Sequence, residues 1–184
     1  MNPTHLKEKL ETERLILKRH HVDEAETMFR AIDSDRGRLS TFLPWPSKIL
    51  TVEDERDFLL QNDAWWESCE LFDYSIYTKE KNIYVGNLGV HTINWKNDCC
   101  ELGYWLLGDF EGQGFMREAV SALESHLFDI GFNRIEIRCE PTNLRSTRVP
   151  GALGYSYEGL LRENIRREDR YRDTLVYSKI KSQG

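Results

Sequence analysis

Nothing in the 184 residues approaches the unbroken apolar run of roughly 18 residues that a helix needs to cross a bilayer. The opening stretch, MNPTHLKEKLETERL, has no hydrophobic core of the kind a secretory signal requires. The chain is therefore expected in the cytoplasm, with no membrane partner. A basic excess is missing too. The formal net charge is −6, from 25 Lys and Arg against 31 Asp and Glu, and argues against general nucleic-acid binding even though LRENIRREDRYR is locally basic. Cysteines number only four, and Cys69, Cys99, Cys100 and Cys139 include no C-x-x-C pair and no His at zinc spacing. They read as reduced structural thiols, and no metal is expected. The doublet His20–His21 has no third ligand nearby and reads as a capping or surface feature. No repeat, low-complexity segment or linker divides the sequence, so residues 1–184 are expected to form a single domain with room for a proper core.

What is present is a run of alternating strand and helix patterns. ERLILKR is a short strand, and DEAETMFRAID carries Ala25, Met28, Phe29 and Ile32 at helical spacing. FLPWPS breaks that pattern with two prolines around Trp45. TVEDERDFLLQNDAWWES starts a second helix, with Thr51 as N-cap and Asp54 three residues on, and its paired Trp65 and Trp66 read first as core. LFDYSIYT, IYVGNLGVHTIN and CCELGYWLL are strand-like runs separated by the turns KEKN and WKND, so the middle of the chain is an antiparallel meander. Gly103 inside the last of them predicts a bulge or a close backbone approach. MREAVSALESHLFDIGF puts Ala119, Val120, Leu123, Leu127 and Ile130 on one helical face and stops at Gly131. NRIEIRCE, a short helix in PTNLRSTRVPGALGY, SYEGLLRE and TLVYSKI complete the order β-α-α-β-β-β-α-β-α-β-β, a mixed sheet rather than a doubly wound parallel one.

Between strand and helix lies GDFEGQGFM. Amides at a helix N-terminus attract anions, and Gly112 and Gly114 permit backbone geometry that a Cβ opposes. There is no G-K-[ST], and Gly112-x-Gly114-x-x-Arg117 lacks the third glycine of a dinucleotide site, so neither standard nucleotide motif applies. Alone, the G-x-G is equally compatible with a plain turn.

The wider pattern decides. GYWL…FEGQGFM, the N-x-x-S of Asn143–Ser146, Val149–Pro150, LGY…EG and YRD…VYS follow one another from ETERLILKR to VYSKI, with FLPWP before them. This order resembles the GNAT acetyltransferases, and within them the RimJ/RimL-type protein N-terminal acetyltransferases. The resemblance implies an α+β (mixed α/β) GNAT fold, a mixed and mostly antiparallel sheet of about seven strands with helices on both faces. It also implies acetyl-CoA as co-substrate, its pyrophosphate cradled by the main chain of Gly112, Gln113, Gly114, Phe115 and Met116. Against the family's Q/R-x-x-G-x-G/A pattern Gly114 matches, while Glu111 and Met116 depart from it. A carboxylate beside a pyrophosphate repels it, so Glu111 is expected to point to solvent. Arg117 reaches a phosphate oxygen or is simply solvated. The backbone of Trp105, Leu106 and Leu107 is expected to pair with the pantetheine amides, and Asn143 either holds the pantetheine arm or only caps its helix.

Acetyl transfer to an amine needs a neutral amine, stabilisation of the carbonyl oxygen and a proton for the leaving thiolate. An N-terminal α-amine, with a pKa of about 7.7–8.0 against about 10.4 for lysine, needs only a weak base. Strand alternation puts Glu101, Gly103 and Trp105 on one side, and a carboxylate on this strand is the base in many GNAT enzymes. Glu101 is the first candidate, with pairing to an arginine as its alternative role. Glu163 is the second, although the family's carboxylate aligns with Ile165. Ser146 is the candidate for stabilising or protonating the thiolate, because the tyrosine many relatives use falls at Pro150. The implied function is transfer of acetyl to a protein N-terminus. A small amine such as a polyamine, amino acid or antibiotic, or a non-catalytic acyl-CoA-binding module, are the alternatives. A homodimer is left open.

Overall fold

The computed structural model describes residues 1–167 and 169–183. Among them eight strands form one sheet: β1 (Lys9–Glu11), β2 (Leu15–Arg19), β3 (Phe72–Thr78), β4 (Tyr84–Asn94), β5 (Cys99–Leu106), β6 (Arg134–Cys139), β7 (Ser156–Arg167) and β8 (Arg170–Ile180), in the order β1-β2-β3-β4-β5-β6-β8-β7. Every neighbouring pair is antiparallel except β5 and β6. A parallel neighbour requires a crossover, and helix α4 (Phe115–Ile130) supplies it. The mixed, mostly antiparallel sheet is the one expected.

Two elements escaped the sequence patterns. β1 is only three residues long, too short for alternation to show, and it lies beside β2 in register Leu10↔Leu17. After α1 (Ala25–Ser34) comes a single extra turn, α2 (Arg36–Leu39), which buries only Leu39. β7 also extends well past SYEGLLRE, because its far half is exposed and polar and is held by ladder bonds to β8 rather than by an apolar face.

The helices dock as their patterns require. α3 (Val52–Glu67) opens on the foreseen box: Asp54 N–H donates to Thr51 Oγ1 (3.1 Å) and Thr51 N–H to the Asp54 carboxylate (2.8 Å). Leu59 packs with Ala25 and Met28 of α1 against Tyr77 and Tyr84, while Trp66 is fully buried against Phe72 and Tyr74. α4 buries Ala119, Val120, Leu123 and Leu127 in the same core cluster as Trp66, Phe72 and Tyr74, together with Ile76, Leu88, Leu102 and Ile137. It ends at Gly131, whose φ of 116° only glycine adopts without strain. Of the histidine doublet, His21 caps the 3₁₀ turn Val22–Glu24, but His20 is buried, bonded through its ring nitrogens to Ser75 and Asn87. The four cysteines are free.

The feature that matters most is where β5 loses its partner. Its ladder to β6 runs from Cys99↔Arg134 to Leu102↔Ile137 and stops, while its ladder to β4 continues to Leu106↔Gly86. Gly86 permits that continuation: at its φ of 149° an added Cβ would lie 2.2 Å from the Trp105 carbonyl oxygen. Gly86→Ala is expected to cost at least about 2 kcal/mol of stability in urea denaturation. An unchanged midpoint would show that β4 and β5 tolerate separation.

Candidate active site

Beyond β5 the chain makes a 3₁₀ turn, Gly108–Phe110, and then turns through Gly112 (φ 74°) and Gly114 (φ 81°), both left-handed. Gly114 is the N-cap of α4, and the first bond of the helix runs from Glu118 N–H to Gly114 O (3.1 Å). The amides of Phe115, Met116 and Arg117 therefore precede the intrahelical ladder and are free to meet an anion. Gln113 is placed differently: its carbonyl accepts from Arg14 (3.0 Å), its side chain donates to Asp109 O (2.9 Å), and it lies outside the main cleft.

That cleft has a volume of about 710 Å³. It runs between the end of β5, the start of α4, the helix α5 (Leu144–Ala152) and the segment from Arg38 to Leu43. Of the expected cofactor residues, Trp105, Leu106, Gly112, Gly114, Phe115, Met116, Arg117, Asn143 and Ser146 all line it. Leu107 does not; it is buried with Tyr84 and Leu59, and its N–H donates to Val85 O (2.9 Å). Antiparallel bonding alternates, so if Leu107 bonds to β4, Trp105 does too, and Tyr104 and Leu106 turn their main-chain groups to the open side. The main-chain groups of Trp105 are thus spent on β4, and Leu107 gives its N–H to β4 and its carbonyl to Phe110 N–H (3.0 Å). The Leu106 carbonyl accepts from Arg38 Nη2 (2.5 Å).

Glu111 is not turned to solvent as expected. Its side chain is 24% exposed and lies between two arginines: Arg38 Nη1 is 2.5 Å from Oε1, and Arg145 pairs with Oε2. Arg38 also pairs with Asp35, which accepts from Gly108 N–H (2.8 Å). The carboxylate is therefore neutralised within the wall. With Arg117 and Arg148 also on the lining, the cleft is basic inside an acidic chain. The glycine turn, the open strand edge and the arginines together fit the diphosphate and the amide-bearing arm of coenzyme A.

Across the cleft, Asn143 caps α5 by accepting from Ser146 N–H (3.2 Å). Tyr104 reaches over from β5, its hydroxyl donating to Ser146 O (3.0 Å) with Ser146 Oγ 3.4 Å away. Burial pushes the Tyr104 phenol well above its ordinary range, and the Ser146 contact opposes this only in part. Pro150 is buried in α5. The helix offers no phenol there, but β5 offers one.

Elsewhere on β5, Glu101 lies beside Arg138 (3.4 Å), which also holds Glu136. Burial raises the Glu101 pKa while Arg138 lowers it, and the net direction is upward. Glu101 does not line the cleft. Neither does Glu163, which is exposed on β7 with φ of 51°, its N–H bonded to Asp173 (2.8 Å). Trp45 of the proline segment packs on Trp105 at 5.4 Å, and Arg167 fastens the same segment by donating to the carbonyls of Thr41 (2.9 Å) and Phe42. Of the paired tryptophans Trp66 is core and Trp65 half-buried. Arg38, Arg145 and Tyr104 were not singled out as site residues from sequence; the GYW and N-x-x-S motifs carry two of them, whereas Arg38 arrives from a distant helix.

The model of the acetyltransferase (GNAT) domain matches residues 14–156. An uncharacterized N-acetyltransferase, p20 of Bacillus licheniformis, is 30% identical over 177 residues, covering 95% of this chain and 97% of that protein. The ribosomal-protein-serine acetyltransferase of Escherichia coli (strain K12) is 27% identical over 167 residues, covering 89% and 92%. Among solved structures, the ribosomal-protein α-N-acetyltransferase RimL in complex with coenzyme A superposes with a TM-score of 0.89 at 24% identity, over 94% of this chain and 98% of that one. The microcin C7 self-immunity acetyltransferase MccE, in complex with acetyl-CoA and AMP, gives 0.88 at 22%, over 97% of each. The two structures speak for the fold. The chain belongs to the GNAT acetyltransferase family.

Removing the Glu111 charge leaves both arginines to the ligand. At an effective dielectric near 40 and a separation of about 8 Å, one unit charge is worth roughly 1 kcal/mol per ligand charge. Glu111→Gln is expected to tighten coenzyme A binding roughly fivefold in calorimetry. Weaker binding would show that Glu111 is needed to aim the arginines.

Proposed function

We propose that this chain transfers the acetyl group of acetyl-CoA to the α-amine at the N-terminus of a polypeptide. The observation that carries acetyl transfer is the loss of the β6 partner after Leu102 while β5 runs on to Leu106, directly into the left-handed Gly112–Gly114 turn and the α4 amides. An extended arm bearing amides can add to that strand edge as a strand would, with its diphosphate on the helix N-terminus. The thioester then lies between β5 and α5.

The Tyr104–Ser146 hydroxyl pair faces that space and supplies a hydrogen bond and a proton to the departing sulfur. Burial holds the phenol protonated, as a hydrogen-bond donor requires, while making it a weaker acid. Proton removal from the acceptor falls to the face of β4 and β5 that carries Glu101. The ionisable groups there, imidazole and carboxylate, are weak bases, adequate for an α-amine near pKa 8 and poorly matched to a lysine near 10.4. The activity of the E. coli relative on a ribosomal-protein serine supports the same acceptor class. A small cationic amine is the second reading, favoured by the net charge of −6.

Release of free coenzyme A thiol is expected with short peptides bearing a free α-amine and not with the same peptides blocked there; turnover of polyamines alone would reverse the acceptor assignment. Ser146→Ala and Tyr104→Phe are each expected to lower kcat roughly tenfold or more with little change in coenzyme A affinity, and the double variant to lose little beyond either one. A loss confined to affinity would make the pair a positioning device.

A further inference from the structure

The following rests on the acetyl-transfer reading above. β4 and β5 pair glycine with glycine, Gly89↔Gly103, and so leave a trough in the acceptor face of the sheet. Two side chains lie in it. A Cβ on Gly89 would be 3.1 Å from Asp73 Oδ1, and a Cβ on Gly103 would be 2.7 Å from His91 Nε2. What approaches Gly103 is thus neither a bulge nor a second backbone but an imidazole side chain lying on the strand. Gly103 is also the first residue of β5 past its last pair with β6, Leu102↔Ile137. His91 therefore stands beside the point at which the sheet opens.

The ring is held in place. His91 Nδ1 is 2.9 Å from Thr92 Oγ1, and Thr92 has φ of 50°, a left-handed conformation that a β-branched residue adopts only under constraint. The strain falls where the β4–β5 register is irregular, between His91 and Asn94. Nε2 makes no hydrogen bond among the described residues and is left for another partner. Its cross-strand neighbour Glu101 is, by contrast, already beside the Arg138 guanidinium.

The charged groups facing the ring are Asp73 from β3, Glu101 from β5 and Arg138 with Glu136 from β6; from α3, Glu55 stands behind Asp73. Burial pushes the His91 pKa below its ordinary value, Asp73 opposes that shift, and Arg138 adds to it. The imidazole is neutral at pH 7 and accepts a proton.

We infer that His91 Nε2, rather than Glu101, takes the proton that the acceptor amine loses during acetyl transfer. The amine lone pair forms the new C–N bond, the C–S bond breaks, and the sulfur leaves with the electron pair. The amine N–H electron pair stays on nitrogen as its proton passes to His91 Nε2, and the Tyr104–Ser146 pair protonates the sulfur. Solvent then resets both groups.

The pH dependence of kcat/KM tests this with a peptide bearing a free α-amine. Wild type requires two deprotonated groups, the substrate amine and His91, so log kcat/KM should rise with a slope of two in the acid range. His91→Gln should fall roughly a hundredfold or more at neutral pH and keep a slope of one. Gly103→Ala, which drives a methyl into the ring's place, should give the same slope of one with His91 intact. Glu101→Gln should keep the slope of two. Calorimetric affinity of each variant for coenzyme A reports that the fold and the cofactor cleft survive. A slope of two in His91→Gln, or its loss in Glu101→Gln, overturns the assignment of His91 alone. Wild-type protein that releases no thiol with any amine overturns acetyl transfer itself.

Discussion

The structure depends on a partnership that is cut short. A backbone strand edge carries polar groups that must be satisfied, and pairing with a neighbour is the usual way. β5 has that neighbour from Cys99 to Leu102 and lacks it from Gly103 onward, while β6 runs on to Cys139 with its other edge paired to β8 throughout. The open edge is kept straight on its other side by β4, so it presents ordered donors and acceptors rather than a frayed end. The crossover helix belonging to the single parallel pair must begin near the end of β5. Strand opening and helix N-terminus therefore fall at one place, as ligand sites do at the strand ends of open sheets. A cleft with a strand edge along one wall and helix amides at its end follows from this one topological fact.

Charge sets the cleft apart from the rest of the chain. A chain of net charge −6 would repel a polyphosphate if its acids were spread evenly through the site. Instead Arg38 and Arg145 enclose Glu111, the one carboxylate on the lining among the described residues. Arg38 adds a second function: by bonding Asp35, Glu111 and the Leu106 carbonyl it ties α2 and the segment behind it to the end of the open strand. Arg167 fastens the same segment from β7, pairing also with Glu140 (2.8 Å). The walls of the cleft are thereby joined through half-buried guanidinium groups, whose rigid fork serves several carbonyl and carboxylate partners at once.

Sequence made the scaffold legible wherever periodicity and local chemistry act within a few residues. The Thr51–Asp54 box, the buried stripe of α4, its stop at Gly131 and the glycine pair at 112 and 114 are all decided locally, and they stand in the structure. Distance in the chain hid the rest. Arg38 meets Glu111 across 73 residues, so a carboxylate that looks repulsive in the string is a neutralised part of the wall. Which of Trp105, Leu106 and Leu107 offers its main chain is a question of ladder phase, set by the Leu107–Val85 bond and not by residue type. α5 carries Pro150 and no phenol, and the phenol beside Ser146 comes instead from Tyr104 on β5, a placement no motif spacing reveals. Gly103 suggested a bulge or a close backbone approach, and only the fold shows that the neighbour is the His91 side chain.

Amide chemical-shift mapping in ¹⁵N-labelled protein during a titration with acetyl-CoA tests the central claim most directly. The open-edge account predicts saturable shifts concentrated at Gly103–Leu106, at Gly112–Arg117 and at Asn143–Ser146, with β1 and the outer half of β7 unmoved. Binding that leaves Gly103–Leu106 and the α4 amides undisturbed, or no binding at millimolar ligand, would contradict it.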